Sequence, residues 1–410
     1  MQERINDMKI LIVNKFLFEN GGSETYIFEL GKQLQKDGHE VQYFGMEHPK
    51  RIAGNKVGAY TPCMDFHTGK FAKIIYPFQI IYSKTARKKI RCVLEDFRPD
   101  VIHLNNFNFQ LTPSIIYEIK KFERDTKKRV KLIYTAHDTQ LVCPNHLMRI
   151  PITGELCQRC INQGFFQCVR HNCIHGSKLK SLCAWFETEL YKKLGTYKYI
   201  DCIVCPSFFI EEQLKTRKEL LGKTRVLHNF ISIDRRLKEE KTNLGDYVIY
   251  FGRFSEEKGI GTLLKVCNSL PQISFIFAGG GPLEEQVNQI KNIKNVGFKK
   301  GEEFFSLIRG AKFSIIPSEC YENCPFSVME SIACGTPVVG SRIGGIPELI
   351  KDGKTGKLFP PGDEQKLKEI VEELWYNEQQ ISDYSKACCK EEFDTVMSYS
   401  EKLLEVIGQI

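Results

Sequence analysis

The chain has 410 residues, of which 42% are apolar and 26% charged, and its formal net charge is +8. This composition is typical of a globular protein with more than one domain, and no apolar run reaches the roughly 20 residues that a membrane-spanning helix needs. The opening MQERINDMKILIVNKF lacks the features of a signal peptide. We therefore expect a cytoplasmic protein whose sixteen cysteines are reduced or bind metal.

Short apolar runs that are typical of buried strands alternate with helical patterns along the whole chain. The predicted strands are Lys9–Asn14, Val41–Gly45, Val101–Leu104, Leu132–Ala136, Ile203–Pro206, Tyr247–Gly252, Ser274–Ala278, Phe313–Pro317 and Pro337–Gly340. This alternation predicts an α/β protein with two doubly wound parallel sheets. Ligands of such sheets bind beyond the carboxyl ends of the strands, so we expect the functional residues there.

The domain boundary is predicted within a polar, charged stretch around residues 215–246. Residues 1–221 then form the first domain, which includes a cysteine-rich insertion at about 138–185. Residues 222–390 form the second domain. The last stretch, 391–410, has a helical pattern, and we expect this helix to pack back on the first domain.

A glycine pair follows the first strand, in the sequence NGGSET. Gly21 and Gly22 would let a ligand approach the backbone closely, and Ser23 is a candidate cap for the next helix. A helix amino terminus at this edge of the sheet favours an anion. The alternative is a plain glycine turn at the start of a helix.

Two cations follow the predicted strand Tyr247–Gly252, in the sequence GRFSEEKG. Arg253 can bind a phosphate through two parallel hydrogen bonds, and Lys258 adds a point charge. The alternative is an exposed pair that bonds to neighbouring glutamates. Gly280, in AGGGP, lies in a second strand–glycine–helix segment, where the backbone would contact a nucleotide or form a structural turn.

Two carboxylates stand eight positions apart in PSECYENCPFSVMESIACG. Glu322 lies in the predicted loop before a helix, and Glu330 lies within that helix. A carboxylate accepts hydrogen bonds from sugar or ribose hydroxyls, and the helix amino terminus between the two favours phosphate. His137 ends another strand, where a neutral imidazole would donate to a hydroxyl or simply be a core histidine.

Together these motifs resemble the retaining glycosyltransferases of family four, also called group one. The resemblance rests on NGGSE, GRFSEEKG, AGGGPLEE, YENCPFSVMESIACGTPVVGS and GGIPELIKDGKTG, and it extends over nearly the whole chain. It implies the GT-B fold, in which two Rossmann-like domains face a central cleft. It also implies a UDP- or GDP-sugar donor and no cofactor for the chemistry.

The resemblance assigns roles to individual residues. Glu322 would contact the donor sugar, Glu330 the ribose, and Arg253 with Lys258 the diphosphate. The remaining donor-side positions are Gly21 and Gly22 in the closing loop, His137 at the sugar, and Gly280, Phe326 and Ser327 near the nucleotide. The segment Asn323–Ser327 departs from the family's glycine-rich pattern, so the shape near the sugar is expected to differ.

Six cysteines lie between His137 and Trp185, and two of them form a CxxC. Cys143, Cys157, Cys160 and Cys173 are the predicted ligands of a structural zinc ion, with Cys168 as a substitute. The alternative is a set of reduced, partly buried thiols, since the second CxxC of a strong zinc signature is absent.

The expected reaction is transfer with retention to a glycan or lipid-linked intermediate of a surface polysaccharide, such as capsule or lipopolysaccharide. The basic segment Lys70–Arg91 is either a surface that contacts anionic lipid at the inner face of the plasma membrane or an ordinary solvated face. The alternative functions are a zinc-containing nucleic-acid-binding protein and a Rossmann oxidoreductase. The first leaves Glu322 and Glu330 unexplained, and the second needs a GxGxxG after the first strand.

Overall fold

The computed structural model describes residues 7–63, 80–231 and 245–410. The chain divides into a first unit of Met1–His228 with Val396–Ile410 and a second unit of Asn229–Thr395. The first unit extends past the expected residue 221 because the strand at Thr224–Val226 pairs with its sheet. Part of the expected boundary stretch, residues 232–244, lies outside the described residues.

The first unit is built on a six-stranded parallel sheet in the order β2-β1-β3-β4-β5-β6. Its strands are β1 (Lys9–Val13), β2 (Glu40–Phe44), β3 (Val101–Leu104), β4 (Lys131–Thr135), β5 (Cys202–Cys205) and β6 (Thr224–Val226). Its helices are α1 (Gly22–Lys36), α2 (Lys84–Phe97), α3 (Ser114–Thr126), α4 (Arg159–Gln163), α5 (Gln167–Arg170), α6 (Lys178–Lys193), α7 (Phe208–Lys215) and, from the end of the chain, α15 (Val396–Gly408).

The continuously apolar strands of this unit are buried on both faces, as a parallel sheet covered by helices requires. Leu11, Ile102 and Leu132, on three neighbouring strands, are fully buried in one core cluster. Each such side chain contributes about 1.5–3 kcal/mol relative to an exposed one.

The last helix, α15, packs in the first unit through polar as well as apolar contacts. The hydroxyls of Tyr399 and Tyr26 are 2.9 Å apart, and both side chains are fully buried. Lys131 donates from Nζ to the carbonyl oxygen of Ile407 over 2.7 Å. The segment just before α15 stays with the second unit, where Ile231 donates its backbone N–H to the carbonyl oxygen of Asp394.

The second unit is built on another six-stranded parallel sheet, in the order β12-β11-β10-β7-β8-β9. Its strands are β7 (Val248–Arg253), β8 (Phe275–Gly280), β9 (Ile293–Asn295), β10 (Ser314–Ile316), β11 (Val338–Ser341) and β12 (Gly356–Phe359). Its helices are α8 (Ile260–Ser269), α9 (Glu284–Gln289), α10 (Gly301–Gly310), α11 (Phe326–Ala333), α12 (Ile346–Leu349), α13 (Glu364–Tyr376) and α14 (Glu378–Lys390). The alternation of strand and helix in both units confirms the predicted α/β class.

The predicted basic segment Lys70–Arg91 is described only from residue 80 onwards. In its described part, Arg87 is paired with Glu118 at 2.7 Å and Arg91 with Asp125 at 2.7 Å. These ion pairs favour the solvated-face interpretation for this part of the segment. Of the helices in the described ranges, none has both the length and the hydropathy that a membrane span requires.

Candidate functional site

Lys258 and Glu322 form an ion pair beyond the carboxyl ends of β7 and β10. Lys258 ends the 3₁₀ turn that follows β7, and Glu322 lies in the loop between β10 and α11. Nζ of Lys258 is 2.5 Å from Oε1 of Glu322, and the hydroxyl of Ser318 donates to the same oxygen over 2.7 Å. The Glu322 side chain is only 13% exposed. The carboxylate that the sequence assigned to the donor sugar is therefore fixed by two donors.

Lys258 remains protonated at neutral pH. Burial alone would lower the pKa of Lys258, but the nearby Glu322 carboxylate outweighs it and the pKa is raised. A protonated amine at the end of a strand, next to a short turn, is suited to an anionic oxygen. Glu322 keeps a second carboxylate oxygen, Oε2, that can accept from a ligand hydroxyl.

Two glycines after β11 fix the backbone of Glu322. Gly345 donates its N–H to the carbonyl oxygen of Glu322 over 2.8 Å. Gly344 has φ +58°, and a Cβ added there would lie 2.1 Å from that same oxygen. This contact was not predicted, since the GGIPE motif entered only through its family resemblance. The doubled glycine directly after a strand was the signal that could have revealed it.

Gly344→Ala should therefore displace the Glu322 loop and lower transfer at least about tenfold, because the backbone of Glu322 has to move. The change in turnover, measured on protein that still unfolds cooperatively, checks this. Gly353→Ala is the matched control, since Gly353 also has positive φ, +75°, but nothing lies within 4 Å of an added Cβ. Equal losses in the two variants would show that backbone strain alone accounts for the effect.

Helix α11 carries the other predicted donor residues of the second unit. Phe326 and Ser327 form its first turn, where backbone N–H groups have no acceptor within the helix. Glu330 lies one turn further on, and burial raises its pKa to about 7. Pro325 is the N-cap residue of this helix.

Asn229 holds the unusual segment before α11 and was missed by the sequence analysis. Its Nδ2 donates to the carbonyl oxygen of Cys324 over 2.9 Å, and its backbone N–H donates to the Cys324 thiol over 3.4 Å. Asn229 is 7% exposed, and its Oδ1 has no hydrogen-bond partner among the described residues. Only a distant position in the sequence supplies this contact, so no local pattern signals it.

Arg253 and Gly280 lie side by side, as a register pair at the ends of β7 and β8. Arg253 is exposed. An added Cβ at Gly281 would lie 2.5 Å from the carbonyl oxygen of Phe254, whereas at Gly280 its nearest neighbour would be 3.6 Å away. The glycine run is thus partly a structural turn, and Gly280 is the position that is open to a ligand.

In the first unit, the predicted glycine pair begins helix α1. The N-cap residue is Gly21, so the expectation that Ser23 caps the helix is wrong. The Ser23 hydroxyl instead donates to Oε1 of Glu24 over 3.0 Å and accepts from Nδ2 of Asn106 over 2.9 Å. Asn14 also donates to the buried Glu24 carboxylate, over 2.9 Å. This network ties the glycine turn to the strand ends.

His137 lies just beyond β4 and is oriented by two neighbours. Its Nε2 donates to Oδ1 of Asn105 over 2.8 Å, and its ring packs edge-on against Tyr26 at 4.8 Å between centroids. Asn105 is itself oriented by donating to the carbonyl oxygen of His103. Burial lowers the pKa of His137 to about 4, so the ring is neutral at pH 7. In this tautomer Nδ1 is an acceptor, so the ring's donor group is already engaged by the protein.

The predicted zinc ligands Cys143, Cys157, Cys160 and Cys173 are not arranged as a metal site. Over the described parts of the chain, no group of three or more His, Cys, Asp or Glu side chains could hold a metal ion. The thiol of Cys143 is instead hydrogen-bonded to that of Cys160, and Cys173 to Cys168. Cys157 accepts a hydrogen bond from Nη1 of Arg159 over 3.7 Å.

Family models match both halves of the chain. The model described as Glycosyltransferase Family 4 matches residues 20–235, and the one described as Glycosyl transferases group 1 matches residues 233–390. The chain belongs to glycosyltransferase family 4. Both matches agree with the resemblance predicted from the motifs.

Curated relatives of this chain are distant. The N-acetyl-alpha-D-glucosaminyl L-malate synthase of Bacillus anthracis is 26% identical over 84% of this chain and 81% of its own. The amylovoran biosynthesis glycosyltransferase AmsK of Erwinia amylovora is 30% identical over 40% of this chain and 44% of its own. An uncharacterized glycosyltransferase of Methanocaldococcus jannaschii is 29% identical over 50% of this chain, and the match spans 58% of that protein. Several matches thus span less than two thirds of the relative.

Solved structures of similar fold align with nearly the whole chain. The sucrose-phosphate synthase of Thermosynechococcus elongatus aligns over 98% of both chains with a TM-score of 0.69 and 17% identity. Anabaena HepE, solved in complex with UDP-glucose, aligns over 98% of this chain and 100% of its own with a TM-score of 0.64 and 16% identity. These similarities, with the two parallel sheets, establish the predicted GT-B fold of two Rossmann-like domains.

Proposed function

We propose that this glycosyltransferase transfers a sugar from a UDP- or GDP-sugar, with retention of anomeric configuration, to a glycan or lipid-linked intermediate of a surface polysaccharide. The observation that carries the proposal is the ion pair of Lys258 and Glu322 beyond the strand ends, next to the start of helix α11. Such a site offers a cation for phosphate and a carboxylate for hydroxyls within one hydrogen bond of each other. A nucleotide sugar needs both.

The chemistry requires stabilisation of the leaving nucleoside diphosphate. Lys258, Arg253 and the amino-terminal turn of α11 would bind its oxygens as negative charge grows on them. The freed diphosphate oxygen would then assist attack by the acceptor hydroxyl from the side on which the bond to the donor breaks. No side chain need act as a nucleophile, and no metal takes part in this step.

The carboxylates would position the donor. Glu322, held by Lys258 and Ser318, would accept from sugar hydroxyls, and Glu330 would accept from the ribose hydroxyls. From the first unit, Gly21 and Gly22 would contact phosphate. Nδ1 of His137 would accept a hydrogen bond from a sugar hydroxyl, because Nε2 already donates to Oδ1 of Asn105.

The donor and acceptor classes are supported by relatives. HepE was solved with UDP-glucose, and several relatives act in polysaccharide or lipopolysaccharide biosynthesis, among them AmsK and an O-antigen chain mannosyltransferase of Escherichia coli. An acceptor of this kind would place the enzyme in the cytoplasm, at the inner face of the plasma membrane. A nucleic-acid-binding function would leave the Lys258–Glu322 pair without a role.

Thermal unfolding with a ligand panel tests the proposal. UDP-, GDP- and ADP-sugars, NAD and a DNA oligonucleotide are each added at saturating concentration, since a bound ligand raises the unfolding temperature. We expect stabilisation by at least one UDP- or GDP-sugar and loss of that shift in Lys258→Ala. Stabilisation by NAD or the oligonucleotide alone would contradict the proposal.

A further inference from the structure

Helix α6, which follows the cysteine-rich region, exposes large apolar side chains on its solvent side. Leu179, Leu182 and Phe186 are 66%, 42% and 49% exposed. Their spacing of three and then four residues places them on one face of the helix. The buried residues of the helix lie on the opposite face. They are Ser181, Ala184, Glu187, Thr188 and Tyr191. The helix is therefore anchored in the first unit while an apolar stripe faces outwards.

Phe166, just before α5, extends this stripe. It is 44% exposed, and its ring lies 5.3 Å from that of Trp185 on α6. We call Phe166, Leu179, Leu182 and Phe186 the α6 apolar face. Grouped exposed apolar side chains of this size mark an interaction surface, whereas single ones are common on any protein.

The exposed charges of helix α6 are mostly positive. Helix α6 exposes four lysines, which are Lys178, Lys180, Lys192 and Lys193. Of its two glutamates, Glu187 is buried and Glu189 is half-exposed. A helix with outward apolar residues flanked by lysines is typical of proteins that lie on anionic lipid surfaces.

A small cavity adjoins one end of the face. Its volume is about 220 Å³, and its lining includes Phe166, Arg170, Asn172 and Lys178. The guanidinium carbon of Arg170 lies 5.8 Å from the centre of the Phe166 ring. Two cations and an amide beside an apolar surface suit the phosphate of a lipid headgroup whose acyl chains contact the leucines.

We propose that the α6 apolar face docks the protein on an anionic bilayer, with α6 lying in the plane of the interface. The apolar side chains would enter the headgroup–acyl boundary, while the lysines would contact anionic headgroups. A second copy of the chain is a poorer partner, because pairing this face with itself would bring like-charged lysines together. The proposal does not depend on the transferase activity, since binding to lipid is measured without donor or acceptor.

Co-sedimentation with vesicles tests the docking surface. We expect the 410-residue chain to bind vesicles of phosphatidylcholine mixed with phosphatidylglycerol. Its affinity for vesicles of phosphatidylcholine alone should be lower by a factor of roughly ten or more. Raising the salt concentration should weaken the binding, since it screens the lysines. Equal binding to both kinds of vesicle, or to neither, would overturn the proposal.

Matched variants assign the binding to this face. The triple variant Leu179→Ser, Leu182→Ser, Phe186→Ser should bind anionic vesicles at least about tenfold more weakly, because three apolar contacts are lost. The control triple replaces three exposed apolar residues elsewhere, Leu221, Tyr376 and Met397, by serine. All six positions are exposed, so both variants should keep the wild-type unfolding temperature. Equal losses in both, or in neither, would contradict the assignment.

Fluorescence gives a second, local measurement. The chain has two tryptophans, so in Trp375→Phe the only tryptophan emission comes from Trp185 on α6. Its spectrum should shift to shorter wavelength on addition of anionic vesicles and not on addition of neutral ones. An unchanged spectrum would contradict docking through α6. Dimerisation in sedimentation velocity that the α6 triple variant abolishes would show instead that a second copy covers the face.

Discussion

Replacing Lys258 by alanine should lower sugar transfer at least about 100-fold, and Glu322→Ala should have an effect of similar size. Removing a donor that stabilises developing charge typically costs about 10²–10³ in rate. Lys258→Ala would remove the contact with the diphosphate, and Glu322→Ala would remove the contact with the donor sugar. Steady-state kinetics at saturating donor measure both effects. A folded variant of either kind with near-wild-type turnover would refute the assignment.

Stability has to be separated from catalysis in these variants, because each leaves the other charge of a largely buried pair without its partner. Leaving one charge unpaired destabilises the folded state by about 3–5 kcal/mol when the pair is fully buried. The destabilisation should be smaller in Glu322→Ala, because the Lys258 side chain that is left unpaired is 34% exposed. The double variant Lys258→Met, Glu322→Gln removes both charges and should regain stability without regaining activity. Lys265→Ala is the matched control, since Lys265 pairs with Glu364 at 3.6 Å on the surface of the same unit. It should leave turnover unchanged.

Glu330→Gln should weaken donor binding at least about tenfold while changing the maximal rate less. A carboxylate bonded to two ribose hydroxyls is replaced by an amide that can accept only through one oxygen. The Michaelis constant for the donor, compared with the maximal rate, measures this division. A fall in the maximal rate at unchanged Michaelis constant would instead place Glu330 at the reacting centre.

The pKa of Glu330 gives this prediction a pH dependence. Burial raises that pKa to about 7 in the free protein, so below this pH the side chain is protonated and a poorer acceptor for ribose. Donor affinity should therefore rise as the pH increases through about 7 in the wild type, and this rise should be absent in Glu330→Gln. An identical pH profile in the two proteins would contradict the role of Glu330.

The same group affects stability in the opposite direction. Because the folded-state pKa lies above the ordinary value of 4.5, the folded protein holds this proton more tightly than the unfolded chain does. The resulting stabilisation is present at low pH and is lost as the pH rises through about 7. Ligand-free Glu330→Gln, which has no such titration, should lose less stability between about pH 5 and pH 8 than the wild type.

The central strands were predictable because they are continuously apolar. Strand β3, Val101–Leu104, has the predicted bounds. The ends of the other predicted strands differ from the observed ends by at most two residues. Strands β9 and β12, the two edge strands of the second sheet, were not predicted. Strand β12, Gly356–Phe359, is buried at three of four positions, but its sequence GKLF is not a continuous apolar run. Strand β9, Ile293–Asn295, has no fully buried residue. Its pairing depends on the neighbouring strand rather than on its own sequence.

The site was predictable where its residues lie close in sequence to a strand end. Arg253 and Lys258 follow β7, and Glu322 follows β10, so topology alone places them at one edge of the sheet. Contacts between distant segments were not predictable, such as that of Gly344 with Glu322.

The anomeric configuration of the first product tests the central proposal most directly. Proton NMR of a reaction with a UDP- or GDP-sugar and a glycan acceptor reports the configuration of the donor and of the product in one experiment. We predict that the product formed first has the configuration of the donor, and that Lys258→Ala forms product at least about 100-fold more slowly. An inverted product, or product formed by Lys258→Ala at the wild-type rate, would contradict the account.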